Sequence, residues 1–379
     1  MYKDDFVRRL ENPDGDRRAS RSLHIDIPLL LILVATCLGG LFVLYSASGQ
    51  SMFYIKRQAT FMLLGFVGML VVAQFPVRFW ERWAPVLYAI GLVSLVAVLY
   101  VGVGAKGAQR WLDLGVTRFQ PSELMKVAVP MMISAYLGKR LIPPSFKHVF
   151  FTLMMILIPV FLIVNQPDLG TALLIFAAGF FVVFLAGLGK RYLVSAFVLA
   201  MAAIPSLWFF VMRDYQKQRV LTLLSPEDDK LGAGWNIIQS TTAIGSGGWS
   251  GKGWTLGTQS QLNFLPESHT DFIIAVLAEE FGLVGVLTLC FVYCLLIGRC
   301  IMIAIGSQSQ FGRLLAGSIS LTFFIYVFVN MSMVSGILPV VGVPLPLISY
   351  GGTSVLTLFL GFGILMAIST EPKRIRMDL

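Results

Sequence analysis

The sequence predicts an all-α polytopic membrane protein with about ten transmembrane helices, both termini cytoplasmic, and one large extracytoplasmic loop between the seventh and eighth spans. Three observations predict it. The 379 residues are 56% hydrophobic and only 13% charged, with a mean hydropathy of +0.79, where soluble domains hold roughly half and a quarter. Apolar runs recur at lengths that cross about 30 Å of hydrocarbon. Lysine and arginine gather on alternate connecting segments.

The runs fall near residues 27–48, 55–75, 84–103, 121–138, 148–165, 168–187, 192–212, 271–298, 314–338 and 347–369. The first follows an Arg-rich leader, Arg8, Arg9, Arg17, Arg18 and Arg21. It is too long for a signal-peptide core, and Ser46-Ala47-Ser48 is only a weak cleavage-like pattern, so it reads as a retained helix. The layout is a cytoplasmic tail over 1–26, one membrane domain over 27–369 that includes the 213–270 outer loop, and a cytoplasmic tail over 370–379. Within that loop the stretch Ala243 to Gln259 is so rich in glycine that it reads as a lid or a mobile linker, not as a packed domain. The tract 336–354 has no charge and contains Pro339, Pro344 and Pro346, which excludes a plain helix. Broken backbone at membrane depth is tolerated where it is buried in protein or lines a cavity.

Charge sets the orientation. With the N-terminus inside, the inner segments hold Lys3, the five leader arginines, Arg78, Arg82, Lys139, Arg140, Lys147, Lys190, Arg191, Arg299, Arg313, Lys373, Arg374 and Arg376, most of the 29 basic residues. The basic balance is therefore a topology signal and a contact with anionic lipid, and no nucleic-acid motif accompanies it. Cys37, Cys290, Cys294 and Cys300 all fall in or at the end of spans, where they pack as small apolar residues. His24, His148 and His269 show no metal-ligand spacing, and there is no Walker A loop or GxGxxG after a strand. A structural zinc, a haem, nucleotide hydrolysis and a Rossmann cofactor are thereby set aside; an oxygen-ligated divalent ion is not.

Asp271 stands where the outer loop returns to an apolar run, and ionisable groups at membrane depth are kept for a pathway or for chemistry. Taken alone, Thr270 or Asp271 reads as a helix N-cap. Its company changes the reading: Pro266, Glu267 and His269 precede it, and Glu279 and Glu280 follow deeper on the same helix. On the outer side, Lys56, Arg57, Lys106, Arg110, Arg118 and Lys126 oppose the topology bias. They either snorkel to lipid phosphates or meet an anionic ligand, most plausibly a diphosphate. Pro121 suits a first helical turn, and Gln120, Glu123 and Lys126 then share one face. Glu123 and Lys126 alone read as an ion pair, and Asp168 after Asn165-Gln166-Pro167 reads as another cap. Three acids and several cations at one depth are poorly explained by independent caps.

Several tracts resemble one family in family order. They are Gly107 to Gly115, Phe119 to Lys126, Asn165 to Gly170, Phe264 to Phe272, and Asn330 to Ser354 with its Pro339-x-x-Gly342-x-Pro344 and Ser349-Tyr350-Gly351-Gly352-Thr353-Ser354. The chain resembles the SEDS family (shape, elongation, division and sporulation), the RodA/FtsW peptidoglycan polymerases, over nearly its whole length. The Gln109-Arg110-Trp111-Leu112-Asp113 wording looks more like the elongation members than the division members. The resemblance implies a multi-pass protein of the cytoplasmic (inner) membrane that transfers glycosyl units from lipid II to growing glycan, with inversion at the donor MurNAc carbon. It implies Asp271 as general base on the acceptor hydroxyl, or as holder of a divalent ion (Mg or Mn) that does so, with no other cofactor. Arg57, Arg110 and Lys126 would steady the undecaprenyl diphosphate leaving group, and Trp111, Gln120, Glu123, Asp168, His269, Ser349, Gly351 and Gly352 complete the implied substrate contacts. A class B penicillin-binding transpeptidase and other elongation-machinery proteins are the implied partners, with no nucleic acid.

Two other classes fit ten helices and embedded charge. A lipid II flippase would place its charges for passage, whereas here they cluster at the outer boundary with no inverted pair of broken helices. A non-catalytic scaffold would not require acids and cations at one depth. A nucleotide-sugar transferase is disfavoured because Asp228-Asp229, its nearest metal motif, lies on the outer side.

Overall fold

The computed structural model describes residues 23–372 apart from 106–107, 114, 116–117, 207, 210–211, 213, 230–231, 262–264 and 266. The leader arginines, Lys106, Pro266 and the basic residues of 373–379 lie outside the described residues, as does the Arg118 side chain. Helices form at the expected apolar runs: α1 (Ile27–Ala47), α2 (Met52–Ala73), α3 (Val77–Val101), α4 (Pro121–Leu137), α5 (Phe146–Asn165), α6 (Leu169–Leu185) and α7 (Lys190–Ser206). The outer loop contains α8 (Asp214–Leu224), α9 (Ala233–Gly247) and the short α10 (Thr258–Gln261). α11 (Ile273–Gly306), α12 (Gln310–Val334) and α13 (Gly352–Ser369) follow. α1, α2, α3, α5, α11, α12 and α13 are long and apolar enough to cross a membrane, and α6 is a shorter apolar helix. α4 and α7 have 17 residues each, about 26 Å at the helical rise, slightly under the hydrocarbon thickness.

α13 packs along α2, α3 along α4, and α11 lies against α1 and α12; α12 also meets α6 and α4. Leu33, Leu44, Met69, Phe359, Phe362 and Leu365 fill the space between them. Leu31, Leu38, Leu63, Val93 and Phe161 point outward, where lipid tails solvate them as well as a protein core would.

The inner ends of the helices are pinned together. Asp26 caps α1 by accepting from the Leu29 amide at 3.0 Å, and it also takes Arg299 at 2.6 Å and the Ser369 hydroxyl. α11 runs on to Gly306, past the expected stop at 298. Burial alone would raise the Asp26 pKa; the hydrogen bonds from Arg299, Ser369 and the Leu29 amide outweigh it and hold the carboxyl below its ordinary value. His24 Nδ1 meets Thr370 Oγ1 at 2.8 Å, and Gln310 Nε2 donates to the Leu137 carbonyl at 3.1 Å, joining α12 to α4.

The outer face adds a small antiparallel sheet to the helical fold. β1 (Val103–Ala105), β2 (Ala108–Asp113) and β3 (Arg118–Phe119) pair in chain order, with Val103 opposite Trp111 and Leu112 opposite Phe119.

The glycine-rich part of the outer loop is packed, which corrects the reading of it as a mobile linker. α9 lies on α11. The turn after it fills a break in α11 at Gly282, whose φ of 64° and ψ of −160° leave the helical region. The amides of Lys252 and Gly253 donate to the freed carbonyls of Glu279 and Glu280, both at 3.0 Å. The amides of Leu283 and Val284 donate to the carbonyls of Gly248 and Trp249, at 2.9 and 3.2 Å. Two carbonyls and two amides released by the break thus find partners in the turn, as membrane depth demands. Glycine is required because the two backbones touch: a Cβ on Gly282 would sit 2.4 Å from the Gly251 nitrogen, and one on Gly251 would sit 2.1 Å from the Glu280 carbonyl. As expected, the chain from Ser335 to Gly351 is not a helix; Val343, Leu345, Leu347 and Ile348 are buried in it.

Candidate active site

Asp271 lies in a tight turn, with the Thr270 and Phe272 amides donating to the Glu267 carbonyl at 3.1 and 3.4 Å. The cap position of α11 belongs to Phe272, which has no side-chain hydrogen bond to offer, so the N-cap reading of Thr270 and Asp271 does not hold. The turn is stitched to the irregular segment before α13. Tyr350 donates its amide to the His269 carbonyl at 2.9 Å, and Ser349 Oγ donates to the Thr270 carbonyl while accepting from the Leu345 amide. Asn330 Nδ2 donates to the Asp271 carbonyl at 2.9 Å and to the Val343 carbonyl at 2.7 Å. The main chain of Asp271 is therefore held from two sides. Tyr54 and Tyr350 flank the His269 ring, with centroids 4.9 and 6.1 Å away. Burial holds the His269 imidazole below its ordinary pKa against the opposing charge of Glu267, so the ring favours its neutral form.

A cavity of about 380 Å³ opens beside Asp271, lined also by Arg219, Asn236, Glu267, Thr270, Gly342, Pro344 and Tyr350. Arg219 and Asn236 come from α8 and α9, so the outer loop supplies part of the wall. Asn236 Oδ1 is buried there without a hydrogen-bond partner.

The second group sits at the mouth of α4. Lys126 Nζ lies 2.6 Å from Glu123 Oε1, and both side chains are about nine-tenths buried. Glu123 Oε2 accepts from Thr357 Oγ1 at 2.8 Å, which ties the pair to α13. Lys126 also donates to Tyr326 Oη and lies 4.9 Å from the centre of that ring. Gln120, buried before α4, donates to Asp168 Oδ2 at 3.3 Å. Asp168 caps α6 through the Thr171 amide at 3.3 Å. Arg110 reaches across from β2 to the Gln166 and Pro167 carbonyls, and its guanidinium lies 3.9 Å from the Asp168 carboxylate.

The structure brings most of the expected residues into these two groups and links them through α12. Tyr326, which grips Lys126, and Asn330, which grips the Asp271 main chain, are one helical turn apart on the same face. Other residues stand apart. Arg57 is exposed on α2 with its guanidinium 5.9 Å from the Phe61 ring centre. Gly351 donates its amide to Gln58 Oε1 at 3.2 Å, and a Cβ on Gly352 would lie 2.7 Å from the Phe61 ring, so both pack against α2. Trp111 is half-buried in β2. Glu279 and Glu280 turn elsewhere: Glu279 takes Lys252 of the turn in the α11 break at 2.7 Å, and Glu280 takes the Ser46 hydroxyl of α1. The sequence reading missed Tyr326, Thr357, Arg219 and Asn236. Tyr326 and Asn330, polar residues four apart in an apolar span, were a signal available in the sequence.

Residues 27–374 match the cell cycle protein family FtsW/RodA/SpoVE. The chain is 55% identical over 351 residues to the peptidoglycan glycosyltransferase MrdB of Escherichia coli K12, covering 93% of this chain and 95% of that protein. It is 38% identical over 373 residues to a probable peptidoglycan glycosyltransferase FtsW of Trichlorobacter lovleyi, covering 94% and 96%. Its fold superposes on a chain of a solved peptidoglycan synthase complex with a TM-score of 0.80 at 30% identity, over 91% of this chain and 97% of that one. The Thermus thermophilus rod shape determining protein RodA superposes with a TM-score of 0.69 at 29% identity, over 91% and 96%. Matched by the family model over residues 27–374 and by relatives at 55% and 38% identity over most of its length, the chain belongs to the FtsW/RodA/SpoVE family.

Proposed function

We propose that the chain, a peptidoglycan glycosyltransferase like the relatives it matches, polymerises lipid II at the outer face of the cytoplasmic membrane with Asp271 as its base. The observation that carries this reading is the carboxylate at the edge of a 380 Å³ cavity, its main chain fixed by Asn330 while the cavity stays open to a sugar-sized ligand. The acceptor GlcNAc 4-hydroxyl loses its proton to Asp271 as its oxygen attacks the donor MurNAc carbon; the bond to undecaprenyl diphosphate breaks on the opposite face, and the configuration inverts. Lys126 is assigned to the leaving diphosphate, since Glu123 and Tyr326 fix its position before substrate arrives. Arg110 acts from further back, because its guanidinium already holds the start of α6.

Among the described residues no three His, Cys, Asp or Glu side chains converge as a metal cage. A divalent ion at Asp271 would rest on that carboxylate together with water and substrate oxygens, as Mg at phosphate sites does, and would supply electrostatic stabilisation there. The general-base route stands on the chain's own residues. A class B penicillin-binding transpeptidase is the proposed crosslinking partner, and cell elongation the proposed setting.

The test is polymerisation of labelled lipid II by the purified chain, alone and with that transpeptidase. Glycan ladders from a preparation free of other polymerases, lost in Asp271→Asn, support the reading. Lipid II translocation without ladders in either preparation would replace it with a flippase.

A further inference from the structure

At the end of the bundle opposite Asp271, the start of α3 and the end of α4 enclose a pocket of about 490 Å³. Its rim carries Arg78, Arg82, Lys139 and Arg140 against a single acid, Glu81, and its apolar floor is Pro85, Met132 and Ala135. This is the cytoplasmic end, where Asp26 and Arg299 also meet. The positive-inside bias puts cations at this end, but it does not gather them around a cavity or leave them without counter-ions. Among the described residues Arg78, Arg82 and Arg140 have no ion-pair partner, and Lys139 approaches Glu81 only to 3.9 Å with its side chain largely in solvent.

One wall is built in advance. The Arg140 guanidinium lies 3.5 Å from the centre of the Tyr136 ring and donates to the Tyr136 carbonyl, which leaves most of its N–H groups for a ligand. Tyr136 Oη is 3.1 Å from His148 Nδ1, and the Arg140 carbonyl accepts from Gln310 Nε2 at 3.2 Å, so α5 and α12 brace the wall. Just above the rim, Trp83 and Val86 of α3 are exposed beside Pro85. Unpaired guanidiniums at the water boundary over an apolar floor, with bare apolar side chains one turn deeper, match an amphiphile with a phosphate head and hydrocarbon tails. A free phosphate would satisfy the rim and leave the floor unused.

We infer that this pocket binds an anionic glycerophospholipid of the inner leaflet, with Arg78, Arg82 and Arg140 on its phosphate and its chains along Trp83 and Pro85.

The purified full chain, delipidated in mild detergent, is titrated with phosphatidylglycerol, with phosphatidylcholine, and with inorganic phosphate at millimolar concentration. Bound lipid is counted by native mass spectrometry and the melting temperature is followed. Phosphatidylglycerol should be retained in preference to phosphatidylcholine, and Arg78→Gln with Arg82→Gln should weaken that retention roughly thirtyfold, the loss of two basic attractions to anionic lipid. The control, Lys147→Gln with Arg313→Gln, removes the same charge from exposed positions at the same end and should retain the lipid. Arg140→Gln is the second variant if the double change lowers the melting temperature without lipid. Equal losses in the control, retention in both pocket variants, or full protection by inorganic phosphate alone would each overturn the proposal.

Discussion

The two charged groups on the outer face differ in what their side chains face. Around α4 nearly every polar atom has a protein partner: Glu123 takes Lys126 and Thr357, Lys126 takes Tyr326, and Asp168 takes Gln120, Thr171 and Arg110. Beside Asp271 the backbone is pinned by Asn330 and Ser349, but the side chains open onto a cavity. A closed network resists rearrangement and keeps cations at a set place, whereas a carboxylate that borders a cavity can meet a ligand entering it. On the function proposed above, the first group is built for position and the second for reaction.

The sharpest way to break that contrast is to neutralise the reacting group. Asp271→Asn keeps size and should lower lipid II polymerisation by about 10² to 10⁴ while leaving the melting temperature near wild type. Ladders at near wild-type rate would put the reaction elsewhere. The α4 group should respond in the opposite currency. Removing one partner of a buried pair strands the other, at roughly 3–5 kcal/mol, so Glu123→Ala and Lys126→Ala should both lower the melting temperature. A cycle with Glu123→Lys and Lys126→Glu then sharpens the point: recovery of fold without activity in the double variant shows that the position of the ammonium matters in addition to the pairing.

Arg110 distinguishes the two kinds of role at a single residue. Arg110→Ala should reduce stability by about 1–3 kcal/mol, since the Gln166 and Pro167 carbonyls lose a charged donor, and should raise the lipid II concentration needed for polymerisation. Arg110→Lys keeps the charge but loses the fork, and should fall between. A melting loss with unchanged substrate dependence would assign Arg110 to scaffolding alone. The smallest effect is expected at the inner end. The Asp26 carboxyl is held below its ordinary value, so the stabilisation from its bond to Arg299 is fully present above about pH 4 and is lost as pH falls through the lower folded value. Asp26→Asn should flatten that acid limb of the melting-temperature profile with little change in polymerisation at neutral pH. An unaltered limb would show that the clamp contributes nothing.

How much of this was legible in the sequence follows from the range of the forces involved. Helices announce themselves locally, through run length and the charges at their ends, and those runs did become helices. Pro121 and Asp168 mark helix starts by local chemistry and stand where expected. Glu279 and Glu280 misled because helical spacing says which residues share a helix, not which way each side chain turns once a loop has docked. Tyr326 and Thr357 were missed because their importance is a meeting of three helices distant in sequence. The glycine-rich stretch defied its composition for a related reason: glycine marks freedom in an isolated chain, yet two backbones can approach to hydrogen-bonding distance only where side chains are missing.

The exchange of hydrogen bonds at Gly282 also bears on which sequence changes the protein tolerates. Surface loops ordinarily accept insertions and deletions, since little depends on their register. Here residues 248–253 are read against residues 279–284 one amide at a time. Adding a single residue on either side of that match would shift donors onto donors at membrane depth. Length variation among functional versions of this chain should therefore be absent from the turn. During synthesis the turn is made before α11, so the partner strand already exists when the broken helix emerges.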